Sequence, residues 1–137
     1  MKDVARLLQD LHETRNAIDV GERTLSYERK GDVRAHSKRM DAHQAALNKL
    51  AVRPEGRLAL ETLLRDSPIT SLRISIANVV MRWDSFSARD VLEEIVTSAG
   101  GRVTRPMTMT AALHAPDGTA TNAALSLLNL ARTQQGM

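Results

Sequence analysis

The sequence contains no cysteine, and only three of its 137 residues are aromatic: one Trp, one Tyr and one Phe. Without cysteine there can be no disulfide, no thiolate metal site and no thiol nucleophile. The scarcity of aromatic residues argues against an all-β domain, because strands favour aromatic and β-branched side chains. It also argues against RNA-binding modules that stack bases on several aromatic rings.

Long hydrophobic runs are missing as well. The longest apolar cluster, residues 74–81, is interrupted by Ser75 and Asn78. It is too short for a membrane span, and the N-terminal residues lack the apolar stretch of a secretory signal. We therefore expect a cytoplasmic protein.

The residues that are abundant are those of helices. Hydrophobic residues make up 42% of the chain, and they recur at intervals of three, four and seven, which predicts amphipathic helices. The length suits a single domain. We predict an all-α domain of about six helices arranged as short antiparallel hairpins. The predicted segments are an N-terminal helix within 1–30, helices at 32–51, 57–65, 69–83 and 88–99, a long loop at 101–118 with one turn around 109–113, and a C-terminal helix at 119–132.

Several residues predict where these helices begin and end. Gly21 is expected to bend or end the first helix, and Pro68 fits the first turn of a helix, where its missing N–H costs nothing. Gly100-Gly101 predicts a helix end in the left-handed conformation. The predicted N-terminal caps are Asp32, Ser67 or Asp66, Ser87, and Thr119 or Thr121.

The positive charge is concentrated in one segment. Residues 29–57 hold eight Lys or Arg against three Asp or Glu, a net charge of +5, whereas the whole chain carries +3. Lys30, Arg34 and Lys38 are four residues apart and form one row on a helix. The row is either a solvated helix face or a binding site for phosphates or an acidic protein. The candidate binding residues of this segment are Arg29, Lys30, Arg34, Lys38 and Arg39.

Two of the three aromatic residues, Trp83 and Phe86, flank a predicted helix junction. One interpretation places them in the core as a wedge between helices. The other makes them an exposed partner-binding site, since Trp is enriched at such sites.

The stretch Leu63-Leu64-Arg65-Asp66-Ser67-Pro68, followed by Leu72-Arg73 and Ile76-Ala77, resembles a HEAT-type repeat. Asp66, Pro68, Leu72 and Arg73 match its Asp/Pro turn and its apolar-Arg pair. Trp83-Asp84 and the residues 88–95 resemble the start of the next unit. Residues 32–96 as a whole resemble a family of small bacterial proteins of unknown function with HEAT-like helices, through Arg39-Met40-Asp41 and Arg57-Leu58-Ala59-Leu60.

This resemblance implies a HEAT-like α-α superhelix in which Asp66, Pro68 and Arg73 are structural. Arg73 is expected to reach an Asp of a neighbouring turn, either Asp66 or Asp84. Some small HEAT-like bacterial proteins are adaptors or toxin-neutralising immunity proteins, and family members have no assigned catalytic site.

Catalytic motifs are absent from the sequence. It has no GxSxG, HExxH, P-loop or GxGxxG pattern. The histidines His12, His36, His43 and His114 lack metal-ligand spacing with a third ligand. We therefore expect no enzyme activity, no cofactor, no metal, no small-molecule substrate and no membrane partner. The sequence predicts a protein-binding module, most specifically a bacterial immunity protein that covers the active surface of a toxin or effector. The alternative is a nucleic-acid-binding protein that uses the basic helix of residues 29–57.

Overall fold

The polypeptide is helical in almost every segment that the computed structural model describes, which comprises residues 3–25, 28–104 and 107–135. The all-α prediction is confirmed, because these ranges contain seven helices and no strand. The helices are α1 (Val4–Thr24), α2 (Lys30–Ala51), α3 (Pro54–Asp66), α4 (Thr70–Val80), α5 (Ser85–Ser98), α6 (Met109–Leu113) and α7 (Gly118–Gln135). The chain divides into two compact units, Met1–Ala59 and Leu60–Met137. A single domain stays a prediction.

The first unit is built on a hairpin in which α1 packs against α2. Apolar residues at helical spacing form the contact, because one face of each helix must leave water. They are Leu7, Leu11 and Ile18 on α1, with Ala46, Leu47 and Leu50 on α2, all buried. Gly21 does not end α1, since the helix continues to Thr24.

A tight corner joins α2 to α3. The predicted start of α3 at residue 57 is three residues late, because the helix begins at Pro54. Arg57 Nε donates a hydrogen bond to the Ala51 carbonyl, 2.6 Å away, and so satisfies an acceptor at the end of α2. A Cβ atom at Gly56 would collide with the backbone of Leu50. Only glycine therefore lets α3 turn this closely against α2.

In the second unit, α4, α5 and α7 pack against one another and form the core, and α6 packs against α7. Its fully buried residues include Leu60, Leu64, Leu72, Ile76, Val79, Val80, Val91 and Leu92. Alanines of α7, namely Ala120, Ala123 and Ala124, are also buried. A partly buried hydrogen bond joins α4 to α7, because Asn78 Nδ2 donates to Ser126 Oγ at 3.0 Å.

The N-terminal caps differ from the predictions. Asp32 lies inside the first turn of α2, and the cap position is Arg29, which makes no side-chain cap hydrogen bond. The cap of α5 is Asp84 rather than Ser87, and Asp117 Oδ1 accepts the backbone N–H of Ala120 near the start of α7. For α5 and α7 an aspartate earlier in the chain takes the role, because its carboxylate reaches backbone N–H groups of the first turn. The helices α2 and α4 begin after Arg29 and Ile69 without a side-chain cap hydrogen bond.

The predicted end of α5 at the glycine pair is confirmed. Gly100 has a φ of 85°, the left-handed conformation that glycine adopts without strain. Its N–H donates to the Thr97 carbonyl, and the Gly101 N–H donates to the Val96 carbonyl. These two bonds define a Schellman motif. In the predicted loop at 101–118, the expected turn is α6; residues 105 and 106 lie outside the described residues.

Candidate interaction surfaces

The candidate residues of the basic segment separate into two groups on α2. Lys30, Arg34 and Lys38 are exposed. Arg34 precedes the buried His43 by nine residues, roughly two and a half turns, so that it lies on the opposite side of the helix. Arg29 is exposed just before the helix.

Arg39 does not belong to this outer row. A Cβ atom at Gly21 of α1 would lie 2.5 Å from Nη1 of Arg39, so the guanidinium group occupies the space beside that glycine. Arg39 is accordingly only half-exposed. The basic helix therefore offers a row of three cations to solvent, and its fourth candidate is turned toward α1.

The outer face of α2 also carries an acidic residue and exposed apolar side chains. Asp41 follows Lys38 by three positions and Arg34 by seven, so it shares their side of the helix. Val33 is 37% exposed and Met40 is 52% exposed. With Ser37 and Gln44, these two residues form a line beside the cationic row.

The inner face of α2 carries polar contacts that residue spacing alone does not predict. His43 is buried, and its Nδ1 lies 2.9 Å from Thr14 Oγ1 of α1. Because the Thr14 hydroxyl donates to the Leu11 carbonyl, it accepts the hydrogen bond from His43 Nδ1–H. His43 Nε2 is left buried without a hydrogen-bond partner.

This environment keeps His43 neutral. The pKa of His43 is lowered from 6.5 to about 4, first because of burial and then because of the positive charge of Arg15, which together outweigh the opposing effects of the Leu11 carbonyl and the Asp19 carboxylate. Arg15 and Asp19 pair within α1, with Nη2 and Oδ1 2.8 Å apart. The seven-residue spacing of His36 and His43 shows that they share one face of α2. The sequence does not show that this face packs against α1.

His36 lies in the same interface. Its Nε2 is 3.8 Å from Glu22 Oε1 of α1, and its Nδ1 is buried without a partner. His114 is exposed and its Nδ1 lies 2.8 Å from the Thr110 carbonyl. Within the described ranges, no three His, Asp or Glu side chains are placed to hold a metal ion.

The two candidate aromatic residues lie in different environments. Trp83 is half-buried, and its Nε1–H donates to Glu61 Oε1 of α3 at 2.9 Å. Phe86, in the first turn of α5, is 74% exposed. The interpretation of both residues as a core wedge is therefore wrong for Phe86.

Polar groups fix the helix start that presents Phe86. Asp84 Oδ1 accepts the backbone N–H of Ser87 at 3.1 Å, and hydrogen bonds from the Ser87 hydroxyl and N–H hold the pKa of Asp84 below its usual range. Arg65 Nη2 donates to Ser87 Oγ at 3.0 Å, and its Nη1 lies 3.9 Å from Asp90 Oδ2. Asp90 follows Phe86 by four residues and shares its face of α5.

The structural candidates Asp66, Pro68 and Arg73 lie around the α3–α4 turn. Asp66 is the last residue of α3, and Pro68 precedes α4, which starts at Thr70. Pro68 is therefore in the turn and not in the helix as predicted. Arg73 does not use an aspartate: its Nε donates to the Leu64 carbonyl at 2.9 Å, and its Nη2 lies 3.9 Å from Glu94 Oε2.

No helix in the described part of the chain has the length and apolar character needed to cross a lipid bilayer. Comparison with family models, curated proteins and solved structures finds no match to this chain.

Proposed function

We propose that this chain is a non-enzymatic protein-binding module with HEAT-like helices, and that the exposed Phe86 is the centre of its binding surface. A buried phenylalanine side chain contributes about 1.5–3 kcal/mol relative to an exposed one. Phe86 has most of that contribution still to gain, since 74% of it faces water.

The surroundings of Phe86 suit a protein interface. Interfaces place aromatic side chains at the centre and polar groups at the rim. Around Phe86, the polar groups are Arg65, Ser87 and Asp90. The Asp84 cap orders the first turn of α5 in the free protein, so little conformational entropy is lost when a partner binds.

Toxin neutralisation is the specific form of this proposal. A helical surface centred on Phe86 would cover the active surface of a toxin or effector and block it by occlusion. The support is the resemblance of residues 32–96 to small HEAT-like bacterial proteins, which is an analogy at the level of fold. The rigid presentation of Phe86 is compatible with that mechanism.

Affinity capture tests the binding function. Wild-type chain, Phe86→Ala and Leu113→Ala are used as bait in a lysate of the source organism. Leu113 is a matched control because it is an apolar residue of similar exposure, 71%, and belongs to a different helix, α6. We expect a protein that is retained by the wild type and by Leu113→Ala and lost from Phe86→Ala. Equal retention by all three baits would contradict the role of Phe86.

The captured protein then tests neutralisation. Its enzymatic or toxic activity is measured with increasing amounts of wild-type chain. Stoichiometric loss of activity with the wild type, and none with Phe86→Ala, is the result expected of an immunity protein. Full activity in the complex would make the chain an adaptor.

Nucleic-acid binding is the second candidate function, and the exposure of Lys30, Arg34 and Lys38 favours it. Binding to phosphates through this row would weaken steeply as salt rises, because each contact releases counterions. A gel shift with duplex DNA and with RNA at low and high salt tests it. The absence of a shift at low salt would exclude this function.

A further inference from the structure

The outer face of α2 combines features that its other faces lack. The cationic row (Lys30, Arg34 and Lys38) makes no ion pair with any described residue, although Asp41 lies on the same face. The line of Val33, Ser37, Met40 and Gln44 runs beside it at spacings of four, three and four. That spacing is how a helix presents side chains to a second helix lying along it.

We infer that this face of α2 binds an acidic amphipathic helix of a protein partner. The inference goes beyond the proposed function, because it concerns a separate surface on α2 and does not depend on Phe86. The apolar side of the partner helix would pack on Val33 and Met40. Its carboxylates would pair with the cationic row.

Charge and geometry both fit such a helix. Cations four residues apart are separated by about 6 Å along the helix axis, and so are carboxylates four residues apart on a partner helix. Residues 30–44 extend over about 21 Å, which a helix of roughly 14 residues would cover. Ser37 is exposed and small, and lies between Val33 and Met40 where the partner backbone would approach.

The same face suits a nucleic acid less well. A phosphate backbone is negative along its whole length, and Asp41 would oppose it next to Lys38. A protein helix can place a Lys or Arg opposite Asp41 and keep carboxylates opposite the cations. Exposed Val33 and Met40 also offer nothing to phosphates, whereas they gain by contact with leucines.

The test uses the full chain and a synthetic helix. The probe is a fluorescently labelled peptide of about 18 residues, long enough to cover the face. It has leucines along one stripe, glutamates four residues apart beside that stripe, and alanines elsewhere. The control peptide has lysine in place of each glutamate. Binding is measured by fluorescence anisotropy at about 50 mM and about 300 mM salt, where screening of exposed charges differs strongly.

Wild-type chain is expected to bind the glutamate peptide and not the lysine peptide, with weaker binding at high salt. Arg34→Glu should weaken binding about tenfold, since it removes an attraction and adds a repulsion. Arg102→Glu is the matched control, because Arg102 is exposed and lies outside α2. Met40→Ser should weaken binding without changing its salt dependence. Circular dichroism of each variant checks that the helices are intact.

Four results would overturn the inference. The first is that the wild type does not bind the glutamate peptide at low salt, and the second is that Arg34→Glu and Arg102→Glu bind it equally. Another is that a DNA duplex binds the wild type more tightly than the peptide does and that Arg34→Glu abolishes DNA binding. This result would make the face a nucleic-acid-binding site. The last is that sedimentation shows a dimer that Arg34→Glu dissociates, which makes the occupant a second copy. The proposed function is tested separately, since capture through Phe86 is measured with α2 unchanged.

Discussion

His43 Nδ1 and Thr14 Oγ1 lie 2.9 Å apart and join α2 to α1 through a partly buried contact between two helices whose facing sides are mainly apolar. The imidazole has no hydrogen-bond partner on its other nitrogen, Nε2. A proton added there would place a positive charge in an apolar interface near the Arg15 guanidinium. The folded hairpin therefore favours the neutral form of His43.

This restriction predicts that the protein loses stability in mild acid. The pKa of His43 is 6.5 in an unfolded chain and about 4 in the folded protein, so between these values the unfolded state binds more protons. The stability that depends on neutral His43 is therefore present above pH 6.5 and is lost as the pH falls toward 4. The loss should be about 2 kcal/mol between about pH 7.5 and pH 5, measured as the free energy of unfolding in urea.

The His43→Leu variant is the control for this pH dependence. Leucine does not titrate and has a similar volume, so the slope between about pH 7.5 and pH 5 should be shallower than in the wild type. Below about pH 5 the carboxylates also titrate, which is why the comparison stops there. Parallel slopes for the two proteins would mean that His43 is not the group responsible.

Gly56 predicts a large effect of a single methyl group. A Cβ atom at this position would collide with the carbonyl oxygen of Leu50, a backbone atom that cannot rotate away. Gly56→Ala should therefore lower the free energy of unfolding by about 1–3 kcal/mol, as expected for overpacking. Thermal and urea unfolding measure it.

Gly31→Ala is the matched variant. Gly31 is also helical, and a Cβ atom there meets nothing within 4 Å. Alanine is favoured over glycine in a helix by up to about 1 kcal/mol, so this variant should be as stable as the wild type or more so. If both substitutions destabilise the protein equally, the close approach at Gly56 is not the cause.

Arg73 should contribute more to stability than Arg34. Its Nε–H donates to the Leu64 carbonyl near the end of α3, and its side chain is largely buried. Arg73→Ala leaves that carbonyl without this donor, at a cost of about 1–2 kcal/mol. Arg34 is exposed, and Arg34→Ala should change stability by less than about 0.5 kcal/mol. Equal melting temperatures for the two variants would contradict this assignment.

The sequence predicted the helices better than it predicted their contacts. The spacing of apolar residues located the helices, and the Gly100-Gly101 pair located the end of α5. Both signals can be recognised in the sequence because each depends only on residues close together in the chain. The caps were misplaced because several Asp, Ser and Thr residues near each start compete for the role, as Asp84 and Ser87 do. The partner of Arg73 is a backbone carbonyl, which no residue pattern marks.

The candidate surfaces show the same difference. The exposure of the cationic row follows from helical spacing, and it is common to both interpretations of the row, a solvated helix face and a binding site. The environments of Phe86 and His43 depend on which face of each helix packs against its neighbour. Periodicity alone does not decide this for a single aromatic residue at a helix start or for a histidine four residues before Leu47.

Trp83 and Phe86 should separate stability from binding. Trp83 is half-buried and donates to Glu61, so Trp83→Ala loses that hydrogen bond and the packing of the ring, at a cost of about 2 kcal/mol or more. Phe86 is mostly exposed, so Phe86→Ala should leave the melting temperature nearly unchanged. The unfolding of Phe86→Ala can be followed by the fluorescence of Trp83, the single tryptophan, and that of Trp83→Ala by circular dichroism. A large drop in the melting temperature of Phe86→Ala would show that the ring is packed in the folded protein, and would remove the basis for a binding surface centred on it.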